Sequence, residues 1–277
     1  MKLFLVIVFT VFLTACSPLD SSSSLKEQSI RVMSWNILYK GWEKKGDPLW
    51  KDRAPGVPKL LKQQQADVIS LQEDGRAQVN YITKALPDYT YIQPHSSKGG
   101  GLLIRKNKWD ILKSGKISIP GKREASWALL KSKQDDQVWM FYNAHFVHRS
   151  ARNSEELRMI AAKSIADHIA KNAPAKVPVV FTGDFNALNQ MRVMRYLSGE
   201  ENSPVKFVNA FDHIHGADNP LGTWRGQSKD HKGDRIDHIL VNKYVKINHA
   251  EIIFFDKLTE PYPSDHYPVM ASIVATE

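Results

Sequence analysis

The sequence predicts an α/β fold in which two stacked mixed sheets are flanked by helices, and two patterns carry that expectation. Apolar strand-like runs recur from Ile30 to Val274, several of them close enough in sequence to pair as hairpins. Between them lie segments of helical periodicity with start and stop signals. Neither an internal repeat nor a second linker interrupts this stretch, so one domain over residues 29–277 is expected.

The chain opens on Lys2 and an apolar run from Leu3 to Leu13. That run is too short for a bilayer span, which takes roughly 20 residues, and residues 1–15 are expected to be a removable leader. Leu13-Thr14-Ala15-Cys16 sets small residues before a cysteine, so the mature chain is expected to begin at Cys16 carrying lipid. Several acyl chains on one residue anchor durably where one does not. The alternative is an ordinary leader with an incidental cysteine. Against it, Cys16 is the only cysteine in the chain and falls where lipid attachment requires one. Ser17 after the cysteine resembles lipoproteins sorted to the outer membrane, if the source is Gram-negative. Ser17-Pro18 and Ser21 to Ser24 then form a flexible tether, residues 16–28.

Ile30 to Ile37 is the first expected strand. The second half of Trp50–Gln65 is helical in pattern, with Pro55 and Pro58 near its start, where proline is tolerated. Asp67–Gln72 is an apolar strand ending at Glu73, and Arg76–Leu86 is a helix stopped by Pro87. Strands follow at Tyr89–Gln93, Leu102–Lys106, Ile111–Ile119, Ser126–Ser132 and Val138–Phe146. Gly99-Gly100-Gly101 precedes a strand rather than a helix, which argues against a phosphate-binding glycine loop. Asn153–Asn172 is the clearest helix, with Leu157, Ile160, Ala161, Ile165 and Ile169 on one face. Asn153 with Glu156 fits a capping arrangement and Pro174 follows the end. Strand Val177–Phe181, a short helix at Met191–Leu197, and strands Ile236–Val241, Val245–Phe255 and Tyr267–Val274 complete the order.

With one cysteine the chain forms no intramolecular disulfide, and it offers no cysteine-based zinc site. It must fold on its apolar core, for which its length suffices. The formal charge is +9, and +8 once Lys2 leaves with the leader. Such a balance suits polyanions such as nucleic acid or anionic head groups. Lys and Arg are nonetheless spread along the chain, so a merely solvated basic surface explains the charge equally well.

Chemistry-bearing residues cluster at the ends of the apolar runs. Thr182-Gly183-Asp184-Phe185-Asn186 directly follows Val177–Phe181, placing an acid and an amide two apart at a sheet edge. Alone it reads as a turn closing a strand. It occurs in order with Ser34-Trp35-Asn36, Leu71-Gln72-Glu73, Asn143-Ala144-His145, Arg235-Ile236-Asp237 and Ser264-Asp265-His266. Asn36, Glu73, His145 and Asp184 end strands, and His266 starts one. In a mixed sheet such ends share an edge, so all five are expected in one cleft.

Together these motifs resemble the endonuclease/exonuclease/phosphatase superfamily of metal-dependent phosphoesterases, over essentially all of residues 30–275. The resemblance implies a four-layer α/β/β/α sandwich and hydrolysis of a phosphate ester by an activated water. Glu73 is then the first metal ligand with Asn36 beside it, and Asp265 a further ligand, direct or through water. Hard oxygen donors suit Mg2+, with Mn2+ or Ca2+ as alternatives. By the same resemblance Asp237 orients His266, which acts as the base or as a phosphate-stabilising imidazolium. Asp184 orients or deprotonates the water, and Asn186 donates to a phosphoryl oxygen. His145 contacts the phosphate or protonates the leaving group, as in the deoxyribonuclease-like and sphingomyelinase-like branches. Where relatives carry Arg and Gln three apart in the following helix, this chain has Arg158 and Ala161. Thr223-Trp224-Arg225 stands where relatives place a Thr-aromatic element near substrate, and a loop aromatic capping the core explains it equally. Arg123 matches relatives only loosely.

Plainer roles are expected for the remaining polar and aromatic residues: Asp74 solvated, Asn143 structural, His168 a surface helix residue, and Trp35, Trp127 and Trp139 in the core. His95, His148, His213, His215 and His231 stand in no motif. The expected function is a nuclease acting on DNA or RNA at the cell envelope, as a monomer held to the membrane through lipid on Cys16. The rival is a phospholipid, sphingomyelin or sugar-phosphate phosphoesterase, with Trp42 and Trp50 as aromatics near its entrance. A third possibility from another class is a non-catalytic binding lipoprotein, weakened because no expected acid, amide or imidazole is missing.

Overall fold

The computed structural model describes residues 29–92, 100–224, 231–255 and 261–276. The leader, Cys16 and the Ser-rich tether lie outside the described residues, as do Gln93, His95, Gly99 and Arg225.

The described chain runs β1 (Ile30–Asn36), α1 (Trp50–Arg53), α2 (Gly56–Gln64), β2 (Val68–Gln72), α3 (Arg76–Ala85), β3 (Tyr89–Ile92), β4 (Gly100–Arg105), β5 (Trp109–Ile119) and β6 (Arg123–Ser132). It continues β7 (Val138–His145), α4 (Ser154–Asn172), β8 (Val179–Asp184), α5 (Arg192–Leu197), β9 (Val208–Asn209), α6 (Ala210–His215), β10 (Asp237–Val241), β11 (Val245–Ile252) and β12 (Val269–Ala275). Two mixed sheets form, ordered β11-β12-β1-β2-β4-β3 and β5-β6-β7-β8-β10-β9.

Strand alternation builds three apolar layers between four structural ones. In β1, Val32 faces the other sheet while Met33 and Trp35 face the outer helices. In β8, Val180 faces the other sheet while Val179 and Phe181 face α4 and α5. Trp139 and Phe141 fill the space between the sheets, each such side chain contributing about 1.5–3 kcal/mol by burial. Trp35, Trp127 and Trp139 are core residues. This is the four-layer sandwich.

A polar layer also crosses between the sheets. Asn143 Nδ2 donates to Leu71 O at 2.9 Å and Gly101 O at 2.8 Å, and its Oδ1 accepts from Gln72 Nε2 at 2.8 Å. Ser126 Oγ donates to Gly100 O at 2.5 Å. A Cβ on Gly100 would lie 2.6 Å from Asn143 Nδ2. The glycine pair thus lets a side chain from one sheet reach the backbone of the other, and Asn143 is structural as expected.

Some local expectations are corrected. Asn153 sits at φ 54 and makes no side-chain cap. Ile160 is 45% exposed, whereas Arg158, Met159 and Ala162 face the core. The inward face of α4 is therefore carried by Ala161, Ala162, Ile165 and Ala166, which pack into the same apolar cluster as Tyr142 and Phe181. Residues 50–64 form two helices rather than one, α1 ending at Arg53 just ahead of Pro55. β9 and α6 were not foreseen; each is short, and Asn209 starts α6 by accepting from Phe211 N at 3.1 Å.

Candidate active site

The register brings the predicted residues to one edge. β1 and β2 run parallel with Asn36 beside Gln72, so Glu73 follows at the same edge. β7 and β8 run parallel with His145 beside Asp184, and antiparallel β10 begins with Asp237 opposite Asp184. His266 lies in the loop before β12 rather than within a strand, joined to Trp224 by a single bridge.

Asn36 ties the floor together. Its Oδ1 accepts from Leu38 N at 3.0 Å, which fixes the amide orientation. Its Nδ2 donates to Glu73 Oε1 at 3.2 Å and to Asp184 Oδ2 at 3.1 Å. Glu73 Oε2 accepts from Tyr39 N at 2.8 Å. Leu38, Glu73 and Asn186 all hold positive φ, at 55°, 58° and 49°, a costly conformation for side-chain-bearing residues that concentrates at functional sites.

Burial, and next the charge of Asp265, push the Glu73 carboxyl above its usual range. Asp265 Oδ1 is buried with no hydrogen-bond partner. Two nearby carboxylates with a spare oxygen are the chemistry of a hard divalent cation site. Among the described residues, ligand atoms of Asp184, Asp237 and His266 also lie within 4.8 Å of one another. There, however, His266 Nδ1 is engaged with Asp237 Oδ2 at 2.8 Å, a bond that a cation between them would break. The Glu73–Asp265 side fits a cation better.

His266 is locked from several directions. Trp35 Nε1 donates to its carbonyl at 2.9 Å, and its N–H donates to Ser264 Oγ at 3.2 Å. Thr223 Oγ1 accepts from Ile236 N at 3.0 Å and Asp237 N at 3.1 Å, setting the orienting acid. Burial alone would lower the His266 pKa, but Asp237, Asp265 and Asp184 outweigh it and hold the ring well above the ordinary value.

Asp184 Oδ1 accepts from Asn186 N at 2.9 Å, and Asn186 Nδ2 donates to Phe146 O at 3.2 Å. His145 Nε2 stands 3.4 Å from Asp184 Oδ2, and its Nδ1 has no partner. Burial, reinforced by the charges of Arg123, His266 and His148, holds His145 well below its usual pKa, as a neutral imidazole.

Above this floor opens a cavity of about 210 Å³. Glu73, His145, Asp184, Asn186, Asp265 and His266 line it, with Asn36 and Asp237 bonded behind them. The expected convergence is therefore present. Lys44, Arg123 and Arg149 add a cationic wall, His148 stands beside them with its pKa lowered by burial and by their charges, and Trp42 and Trp224 add an aromatic wall. His148 had no motif to single it out; its signal was position, three residues beyond His145. Asp74 is buried rather than solvated, bonded by Tyr91 Oη and by Gly101 N at 2.9 Å. His168 lies half-buried against Tyr142 Oη at 2.9 Å. Trp50 is packed in the core under α1, away from the cleft.

The model of the Endonuclease/Exonuclease/phosphatase family matches residues 33–266. Nocturnin of Xenopus laevis is 21% identical over 93% of this chain and 76% of its own length. An endonuclease/exonuclease/phosphatase from Bacteroides vulgatus superposes with a TM-score of 0.76 and 23% identity, over 90% of this chain and all of that one. A mannosyl-6-phosphatase of Bacteroides thetaiotaomicron superposes at 0.72 and 21% identity, over 89% of this chain and all of its own.

Proposed function

The chain belongs to the endonuclease/exonuclease/phosphatase family of phosphoester hydrolases, and we propose that it is a Mg2+-dependent phosphodiesterase acting on nucleic acid. The observation that carries this choice of substrate is the wall of the cleft. Three cationic side chains, Lys44, Arg123 and Arg149, and two indoles stand around a carboxylate–imidazole floor, and phosphates with stacked bases need that combination. We place the enzyme at the cell envelope as a monomer, held by lipid on Cys16 and, in a Gram-negative source, sorted to the outer membrane.

Glu73 and Asp265, with Asn36 positioning Glu73, would hold the cation, whose chemistry is to draw charge from the phosphoryl oxygens. Asp184, fixed by Asn36 and Asn186, orients the attacking water and takes its proton. Asn186 keeps one N–H beyond its bond to Phe146 for a phosphoryl oxygen. Asp237 holds the Nδ1 proton of His266, leaving Nε2 for the phosphate. His145, held as the neutral imidazole at the cleft wall, gives a hydrogen bond to a phosphoryl oxygen, while His266, whose ring is held well above its ordinary pKa, gives its Nε2 proton to the departing oxygen. The water oxygen bonds to phosphorus as the ester oxygen leaves with a proton, so no covalent enzyme intermediate forms.

The test is incubation of the full chain with supercoiled plasmid and with single-stranded DNA, in Mg2+ and in EDTA, beside Asp184→Ala. Metal-dependent cleavage lost in the variant supports the proposal. Intact DNA together with phosphate release from sugar phosphates, or head-group release from phospholipids, would replace the substrate class. A folded chain that binds these esters and hydrolyses none would be the binding lipoprotein.

A further inference from the structure

Beside the cleft, the chain from Tyr39 to Lys51 forms a platform on which charge is sorted by direction. Its two half-buried acids turn inward. Glu43 accepts from Gly41 N at 2.6 Å, Trp50 N at 3.0 Å and Arg53 Nη2 at 3.2 Å. Asp47 accepts from Lys44 N at 2.7 Å and Tyr262 Oη at 2.8 Å. Arg53 beneath is fully buried and bonds the carbonyls of Ile37, Leu38 and Pro263 at 2.7, 2.6 and 3.1 Å. The cations turn outward: Lys40, Lys44, Lys45 and Lys51 are all exposed. Trp42 stands among them, 42% exposed, leaning on Tyr39 at 5.0 Å between ring centroids.

The platform is continuous with the cleft. Trp42 and Lys44 belong to both, and Lys44 Nζ lies 5.8 Å from the ring centroid of Trp224. A buried frame thus holds four exposed lysines and an open indole face beside the proposed catalytic floor.

We propose that this platform carries the flank of a single-stranded nucleic acid beyond the scissile phosphate. This rests on the nucleic-acid proposal above and narrows it. Lysines follow the backbone phosphates, and an indole face takes an unpaired base, worth about 1–3 kcal/mol per stacked base. A duplex keeps its bases stacked on one another and offers the indole no free face. An anionic membrane would also attract the lysines, but it does not account for the sharing of Trp42 and Lys44 with the cleft.

The test uses the full chain, the Lys45→Glu/Lys51→Glu double variant, and Lys246→Glu as a control on β11. Cleavage of a dinucleotide and of a single-stranded ten-residue oligonucleotide is compared in Mg2+, and binding of the oligonucleotide is measured by fluorescence anisotropy in EDTA. The longer substrate should be preferred by at least about tenfold in kcat/KM, the size of one stacked base. The double variant should lower that ratio by the share the two lysines carry, with a log affinity–log salt slope shallower by about 1.4 for two lost phosphate contacts; Lys246→Glu should keep the ratio. Cleavage without length preference, or a ratio indifferent to the double variant, overturns the platform and leaves the nuclease standing. Binding that depends on Lys45 and Lys51 without cleavage of either substrate keeps the platform and removes the nuclease. Absence of oligonucleotide binding, with binding to phosphatidylserine vesicles lost in the double variant, overturns the platform in favour of a membrane surface.

Discussion

Asp184 and Asp237 face one another as direct cross-strand partners on β8 and β10. Like charges opposite one another on antiparallel strands destabilise a sheet, and both residues are buried here. Burial first and Asp237 second push the Asp184 carboxyl up to about 7. The sheet tolerates the pair because each acid has donors of its own: Asn36 and Asn186 on Asp184, His266 on Asp237. Neighbouring strands therefore place the acid proposed to handle the water and the acid bonded to His266 side by side without a bond between them.

That division of labour predicts the behaviour of Asp237→Asn. The amide oxygen can still accept from His266 Nδ1, but the anion that favours the proton there is gone. Turnover should fall by about 10² or more. The chain should still fold, since the charge opposite Asp184 is removed while the acceptor for His266 Nδ1 is kept. Steady-state kinetics beside thermal unfolding read both quantities. Undiminished turnover would detach Asp237 from the reaction.

A cation held by Glu73 and Asp265 should act as a stabilising ligand. At a hundredfold excess over its Kd, Mg2+ should add about 2.7 kcal/mol to stability, seen as a rise in Tm. Glu73→Gln should lose most of that rise along with activity, while remaining folded in EDTA, where the like charge beside Asp265 is relieved. An equal rise in the variant would place the metal elsewhere, with the Asp184–Asp237–His266 group the next candidate.

The sequence carried most of the scaffold and the catalytic floor because both are periodic or strand-end features. Apolar runs located β1 and β8, but Val32, Met33, Val180 and Phe181 are all apolar, so which layer each one faces came only from the fold. Strand ends located Asn36, Glu73, His145 and Asp184. The wall of the cleft was less legible: Lys44, His148 and Arg149 come from loops, where no period fixes direction. Asp74 was misread because its burial depends on Tyr91 and Gly101, partners that only tertiary pairing of β3 and β4 supplies. Asn36 shows a finer limit. Sequence placed it beside the metal, while the structure turns its nitrogen to the carboxylates and its oxygen to Leu38 N.

Gly183 is required by space as well as by conformation. It sits at φ 152, and a Cβ there would lie 2.0 Å from the backbone oxygen of Ala144. Backbone atoms of a central parallel pair cannot yield as a side-chain end does. Gly183→Ala should therefore cost more than about 4 kcal/mol, in the exceptional range for one methyl group. Urea unfolding, or failure to recover folded protein, measures this. A loss below about 1 kcal/mol would mean that β7 and β8 can separate at the site.

His238 should make stability fall in mild acid. Asn209 uses its Oδ1 to cap α6, which points its Nδ2 at His238 Nδ1, 2.9 Å away. Nδ1 must then accept, so Nε2–H donates to Ala187 O at 2.9 Å, and the neutral ring is satisfied on both sides. Burial above all lowers its pKa from 6.5 to about 4. Above pH 6.5 folded and unfolded chains both carry the neutral ring, and no stability is lost. As pH falls from 6.5 towards 4 the unfolded state takes up a proton that the folded state refuses. This should cost about 3 kcal/mol by pH 4. In His238→Gln the amide can donate and accept in place of the ring without titrating. Urea midpoints compared at pH 7 and 4.5 should therefore fall further in the wild type than in this variant. Parallel losses would show that His238 does not carry the acid sensitivity and that its ring is not held neutral between Asn209 and Ala187.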